Sequence, residues 1–399
     1  MPRRYYVLWL VGMALTEIGS TLDVSWHFGH VFDEISPPHI TSFAGTCLMA
    51  ALLFWALFRE RERVVGLERR ALIVAAVALA IGIADMPFDF LWHQIFGVDI
   101  TTWSPTHLML NFPSDVYNVC VIVALFASPA AQSLGSWAIA FGVCFRNVLT
   151  THFALNQQEY GAVALDSILR TGKPPWYVEP ALWQLAGPRA AQLVTGGVPD
   201  WVYLIYFAFA LCYALTFGAT VLLRRTRETL GRRDVWPLPF GVATALALTF
   251  ALWRWGFQTL FVGVHQAYPV VDWYVIPVGI VIDLAVVFGP RLVGAVARGR
   301  SAEFRSYAEL IVSGASGIVG ALALYSGIVA MGASGQIVPT TPLAALPIAC
   351  LTGAFGAILG HTLATRMRVA IRRSWASAKG SAAAAPGQAD PARQGLEKN

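Results

Sequence analysis

The sequence predicts an all-α, polytopic integral membrane bundle of about ten transmembrane helices, with both termini cytoplasmic. Three observations carry this. Hydrophobic residues make up 56% of the 399 positions and charged ones only 13%. The mean hydropathy is +0.58, outside the range of soluble domains. The basic residues gather in a few short loops spaced as alternate connections of a bundle would be.

Ten apolar segments of span length follow one another, near 5–26, 39–58, 70–93, 106–128, 136–154, 200–223, 236–260, 270–290, 308–332 and 341–364. The loops RERERVVGLERR (59–70), RRTRETLGRR (224–233), RLVGAVARGRSAEFR (291–305) and RMRVAIRR (366–373) carry most of the Lys and Arg, and Arg3 and Arg4 precede the first segment. Ten spans put all of them on one side, which the positive-inside rule makes cytoplasmic. The net charge of +5 therefore reads as topology and not as nucleic-acid binding. The membrane is expected to be the cell (plasma or inner) membrane. Cys47, Cys120, Cys144, Cys212 and Cys350 lie in apolar segments without a CxxC pair, so they read as packing residues. The apolar start has no small-x-small cleavage site after it and reads as a retained span.

Four regions are expected. Residues 1–154 form a five-helix region, 155–199 an outer loop rich in Pro, Gly and Trp, and 200–373 a second five-helix region. Residues 374–399, small and polar, form a disordered cytoplasmic tail.

Within the first region one stretch occurs twice. DVSWHFGHVFDEISPPH runs from Asp23 to His39, and DFLWHQIFGVDITTWSPTH from Asp89 to His107. Both reduce to D-x-x-W-H-x5-D, a short gap, then S-P-x-H. The matched pairs are Asp23/Asp89, Trp26/Trp92, His27/His93, Asp33/Asp99, Ser36/Ser104, Pro37/Pro105 and His39/His107. Ten spans place both copies on the outer, extracytoplasmic face. So do His30, His152 and His265, which leaves only His361 of the eight His toward the cytoplasm.

Asp and His at i and i+4 share one helix face. Asp23 with His27, and Asp89 with His93, thus converge at a helix end. The third ligand comes from the next helix. Ser-Pro-x-His has the form of a helix start, with Ser as N-cap, Pro at the first position and His at the third. Asp23, His27 and His39 form one candidate metal site; Asp89, His93 and His107 form the other. Asp33 and Asp99 on the connecting loops are extra ligands or acceptors for a ligand imidazole. Trp26 and Trp92 are placed to wall the sites. Asp85 and Glu17 extend an acidic face inward, where a buried carboxylate is costly.

Simpler readings compete. Trp and His near a membrane surface also act as interfacial anchors, and a single Asp–His pair also closes a helix end. The doubling of the whole pattern favours metal. Arg146 with Asn147, Asp115 with Asn118, and Asp283 read as pairs between helices, and His265 with Asp272 as interfacial residues. Gly317, Gly320, Gly327 and Gly332 read as close-packing positions. Two imidazoles and a carboxylate suit copper, iron or zinc.

The doubled pattern resembles the copper-ligand stretch in one membrane-embedded subunit of the copper membrane monooxygenases, the methane and ammonia monooxygenases. There an Asp and two His bind copper at the outer side of the bilayer. A second, later site in that family has Asn, His and His, and Asp89 stands here where the family has Asn. The resemblance covers about 36 residues, and the last five spans lie beyond it. It implies copper at both triads, oxidation of a small apolar substrate by O2, and further membrane subunits or a homo-oligomer as partners. A metal or proton transporter, and a metal-stabilised structural or assembly protein, are the alternatives from other classes.

Overall fold

The computed structural model describes residues 3–26, 36–96, 105–128, 209–211, 213–222, 224, 241, 243–245, 247–248, 251–252, 275–333, 343 and 345–384. Among them the regular structure is helical, with no strand. The long helices are α1 (Arg3–Trp26), α2 (Pro37–Phe54), α3 (Gly66–Phe96), α4 (Pro105–Ala127), α5 (Val275–Val296), α6 (Ala302–Ala333) and α7 (Ala345–Ala384). A π-helical turn, Trp55–Arg59, extends α2. A shorter apolar helix spans Phe209–Leu222. The span expected at 136–154, the outer loop 155–199 and most of 236–260 lie outside the described residues.

Five described helices are long and apolar enough to cross a membrane: Pro37–Arg59, Gly66–Trp92, Val275–Val296, Ala302–Gly327 and Ala345–Ala376. Their outward faces carry large apolar side chains. Phe88, Ile311, Leu351 and Phe355 are all exposed, Leu351 to 72%. Such a surface belongs in lipid. The interior is made by small residues that let backbones meet. A Cβ on Gly45 would strike the Gly12 carbonyl, and one on Gly317 the Gly353 carbonyl. Gly356 and Gly360 of α7 sit in the same way on Ala210 and Ala214. Gly320 lies against the Tyr213 ring, whose hydroxyl donates to the Ser316 carbonyl at 2.9 Å. The expected close-packing role thus holds for Gly317 and Gly320.

Two antiparallel hairpins, α1–α2 and α3–α4, form the first region, and α5, α6 and α7 pack in sequence in the second. The first hairpin is pinned along its length. Trp9 Nε1 donates to the Met49 carbonyl at 3.3 Å, and Ser42 Oγ to the Thr16 carbonyl at 3.1 Å. The two hairpins are tied at the end where α1 begins and α2 finishes. The Tyr6 hydroxyl there donates to Glu68 Oε1 at 2.7 Å, and both residues are buried. Helix α7 joins the two regions by packing on α3 and α4. Ser374 Oγ donates to the Ala127 carbonyl at 3.4 Å, and Trp375 is buried beside it. Helix α7 runs past the boundary expected at 373 to Ala384, through an alanine-rich stretch of high helix propensity.

Arg59, Arg69 and Arg70 flank the α2–α3 turn, beside Glu68. Arg224, Val293 and Arg368 line one cavity. The α2 and α4 starts, which carry the Ser-Pro-x-His elements, are at the opposite end of their hairpins.

Asp283 of α5 has a structural task. Its Oδ1 accepts from the backbone N–H of Ala243 at 3.1 Å, and its Oδ2 from the N–H of Thr244 at 2.8 Å and the Thr244 hydroxyl at 2.6 Å. It therefore satisfies orphan donors where a neighbouring helix begins, after Gly241 at φ 111°. Gly279 on the same face lets that turn approach α5.

Candidate metal centre

The start of α2 is built as the Ser-Pro-x-His pattern requires. Ser36 is extended at φ −77°, ψ 155°, and its hydroxyl accepts from the His39 N–H at 3.1 Å. The Ser36 carbonyl accepts the first helical bond, from Ile40, at 3.0 Å. Pro37 and Pro38 fill the next two positions, where a missing N–H costs nothing. Pro38 and Ser36 are buried and His39 is half-buried, so the imidazole leaves a rigid first turn.

The hairpin register brings Asp23 to the same level. A Cβ on Gly19 would strike Ser42 and the Pro38 carbonyl, which fixes the last close approach of α1 to α2. Asp23 is one helical turn beyond Gly19 on the same face, and His39 is one turn before Ser42. Both backbones therefore lie at the open end of the hairpin, where α1 ends at Trp26. The side chain of Asp23 and the residues His27 and Asp33 lie outside what the structure describes.

In the second hairpin, α3 runs on through Asp89, Trp92 and His93 to Phe96, and α4 begins at Pro105 with His107 as its third residue. Asp89 and Trp92 are half-buried, and Asp85, one turn further in, is 6% exposed. Both carboxylates hold an oxygen shielded from the surface, as does the hydroxyl of Thr106 in the first turn of α4. The side chains of His93 and His107, and the residues Asp99 and Ser104, lie outside the described residues. So do His30, His152, His265, Asp272, Arg146 and Asn147 and the side chains of Glu17 and Asp115.

Among the described residues no three His, Cys, Asp or Glu side chains converge on a metal position. Of the six expected ligands only His39 and Asp89 have described side chains, and they belong to different hairpins. In the first hairpin the structure brings the end of α1 against the start of α2, the helix ends that carry the expected ligands Asp23 and His39. Cys47, Cys120 and Cys350 are free thiols, Cys47 exposed and the other two half-buried. Asn118 donates to the Ser114 carbonyl in its own helix.

One group of ionisable residues is poorly marked in the sequence. His361 of α7 and Glu309 of α6 approach to 3.3 Å across a cavity that Arg224 and Arg368 also line. The four are spread over three helices, so no local spacing announces them.

Comparison with protein-family models, with curated proteins and with solved structures finds no match for this chain.

Proposed function

We propose that this chain is an integral membrane copper-binding protein, similar to the copper-ligating membrane subunit of the methane and ammonia monooxygenases and oxidising a small apolar substrate with O2. In this reading the bundle has about ten spans, and the motif hairpins face the extracytoplasmic side of the cell membrane. The basic ends gather at the other, cytoplasmic end. The observation that carries the proposal is the doubled acid–imidazole–imidazole pattern on two antiparallel hairpins of like construction.

The donor chemistry fits the metal. Two imidazoles and a carboxylate leave open positions and suit copper, with iron or zinc as the alternatives. Asp23, His27 and His39 would hold one ion, and Asp89, His93 and His107 the other. Bound there, copper supplies a redox centre with room for O2. The protein's own residues set the surroundings. Ser36 fixes the His39 turn, and the exposed apolar faces of Phe88 and Leu91 border the second hairpin's open end. A hydrocarbon-like substrate would arrive along such walls from the lipid. Further membrane subunits or a second copy of the chain complete the site in this reading.

Copper content of the detergent-purified protein tests the proposal, with electron paramagnetic resonance as the second readout. Wild type should hold stoichiometric copper with a nitrogen-ligand signature. His27→Ala and His93→Ala should each remove one of two ions. Unchanged metal content in both variants would refute it.

A second reading rests on the buried Asp85, one turn inward from Asp89. It continues an acidic face into the bundle and favours metal or proton transport. Metal-dependent flux in vesicles, with no retained copper, would select it.

A further inference from the structure

The connection between α5 and α6 is a short, fixed turn between two apolar helices. One candidate span ends at Val296 and the next begins at Ala302. Only residues 297–301 lie between them, too short a piece of chain to carry the turn far from the hydrocarbon edge. The Arg300 N–H donates to the Ala297 carbonyl at 3.1 Å, and Gly299 takes φ 71°, which a side chain would strain. Ser301 then opens α6. Its hydroxyl accepts from the Phe304 N–H at 3.2 Å and its carbonyl from the Arg305 N–H at 3.1 Å. Val293, Ala297 and Ala308 form a small apolar core beneath the turn.

The turn presents an uneven set of charges. Arg291, Arg298, Arg300 and Arg305 are all exposed, against one acid, Glu303. Among the described residues none of these four arginines forms an ion pair. Two of them rest on rings instead. Arg291 lies over Phe288 and Arg300 over Phe304, each 5.7 Å from the ring centre. Leu292, Val296, Phe304 and Tyr307 are exposed beside them, Tyr307 to 58%. The α2–α3 turn is made differently. Glu60, Glu62 and Glu68 interrupt its arginines, and Arg63 is bound to Glu60 at 2.9 Å.

We propose that the α5–α6 turn is a docking surface for the headgroups of anionic phospholipids. Charge complementarity favours this occupant. A guanidinium matches a phosphate in geometry as well as charge, and four of them face a single carboxylate. Depth favours it too. The apolar residues that adjoin the arginines suit glycerol and upper acyl carbons, while the guanidinium ends reach the headgroups above. The proposal rests on the apolar spans alone and is independent of any metal at the motif hairpins.

Native mass spectrometry of the full-length protein, equilibrated in neutral detergent with equal amounts of phosphatidylglycerol and phosphatidylcholine, tests it. Wild type should retain phosphatidylglycerol in preference, and added salt should weaken that preference. Arg298→Gln should lower the preference about fivefold, the change that about 1 kcal/mol per basic residue at an anionic surface corresponds to. Adding Arg300→Gln should lower it further. Glu303→Gln should raise it by removing the opposing charge. Arg63→Gln, in the α2–α3 turn where the guanidinium is already spent on Glu60, should leave it near the wild-type value. All of these positions are exposed, so an unchanged Tm separates lost lipid from lost fold. Equal retention of the two lipids by wild type would overturn the proposal. So would equal losses in Arg298→Gln and Arg63→Gln, which would reduce the effect to net charge, or a weaker preference in Glu303→Gln. Capture of polyglutamate without any preference between the lipids would give the turn to an acidic protein segment and overturn it as well.

Discussion

The His39 backbone N–H donates to the Ser36 hydroxyl at 3.1 Å, so the imidazole proposed as a metal ligand leaves a capped and proline-stiffened turn. Losing such a cap costs about 1 kcal/mol. Ser36→Ala should therefore lower the Tm modestly and loosen the first-hairpin metal site. The effect is cleanest in a His93→Ala background, where only the first site counts. Copper affinity should fall there for Ser36→Ala and be kept by Ser36→Thr, which retains the accepting oxygen. Equal copper binding by the alanine and threonine variants would separate the cap from the metal.

The Tyr6–Glu68 hydrogen bond holds the two hairpins together from their far end. Glu68 is 3% exposed, and burying a carboxylate there depends on donors. Tyr6→Phe removes one of them and should cost about 1–3 kcal/mol. Glu68→Gln keeps an acceptor for the Tyr6 hydroxyl without the charge and should cost less. Thermal unfolding in detergent checks the order. A Glu68→Gln protein less stable than Tyr6→Phe would mean that the charge, and not this bond, matters.

What the sequence makes legible depends on the range of the interaction. The Ser36 cap and the α4 start at Pro105 are local patterns of four residues, and they can be read directly. The close-packing glycines of α6 are legible as a type, but their partners Gly353 and Tyr213 are not. Asp283 illustrates the limit. An acid in a span signals an inter-helix partner; here the partners are the Thr244 hydroxyl and the N–H groups of Ala243 and Thr244, and the backbone donors leave no trace in side-chain pattern. Tyr6 and Glu68 are 62 positions apart, and Glu68 reads as part of a solvated charged loop until the helix order is known. Composition likewise sets 374 as the start of a tail because small polar residues dominate. The helix nevertheless runs on to Ala384, with Trp375 buried. At the candidate metal centre, the capped start of α2 at Ser36 follows from the pattern, whereas His27, Asp33 and Asp99 lie outside the described residues.

Two glycines should respond in opposite ways to the same change. Gly360 has Ala214 backbone where its Cβ would be, and Gly82 has nothing within 4 Å. Gly360→Ala should force α7 off the Phe209–Leu222 helix and lower the Tm by several degrees, with Gly360→Val worse. Gly82→Ala should be neutral or stabilising by up to about 1 kcal/mol, the helix-propensity difference. Similar losses at both positions would mean that the small-residue contacts do not set the packing.

Asp283 offers a test that also bears on transport. It is 5% exposed and bonds two backbone N–H groups and a hydroxyl at the start of the neighbouring helix. Asp283→Ala strands those donors in an apolar interior and should cost about 3 kcal/mol or more. Asp283→Asn keeps one accepting oxygen and offers its amide N–H to the Thr244 hydroxyl, so its loss should be intermediate. A residue that only caps a helix affects activity no more than it affects stability. If Asp283 instead carries protons or metal inward, Asp283→Asn should abolish flux at temperatures where the protein is fully folded. Measuring Tm and vesicle flux on the same two variants therefore distinguishes the roles, because a cap makes flux follow the folded fraction and a conducting acid breaks that link.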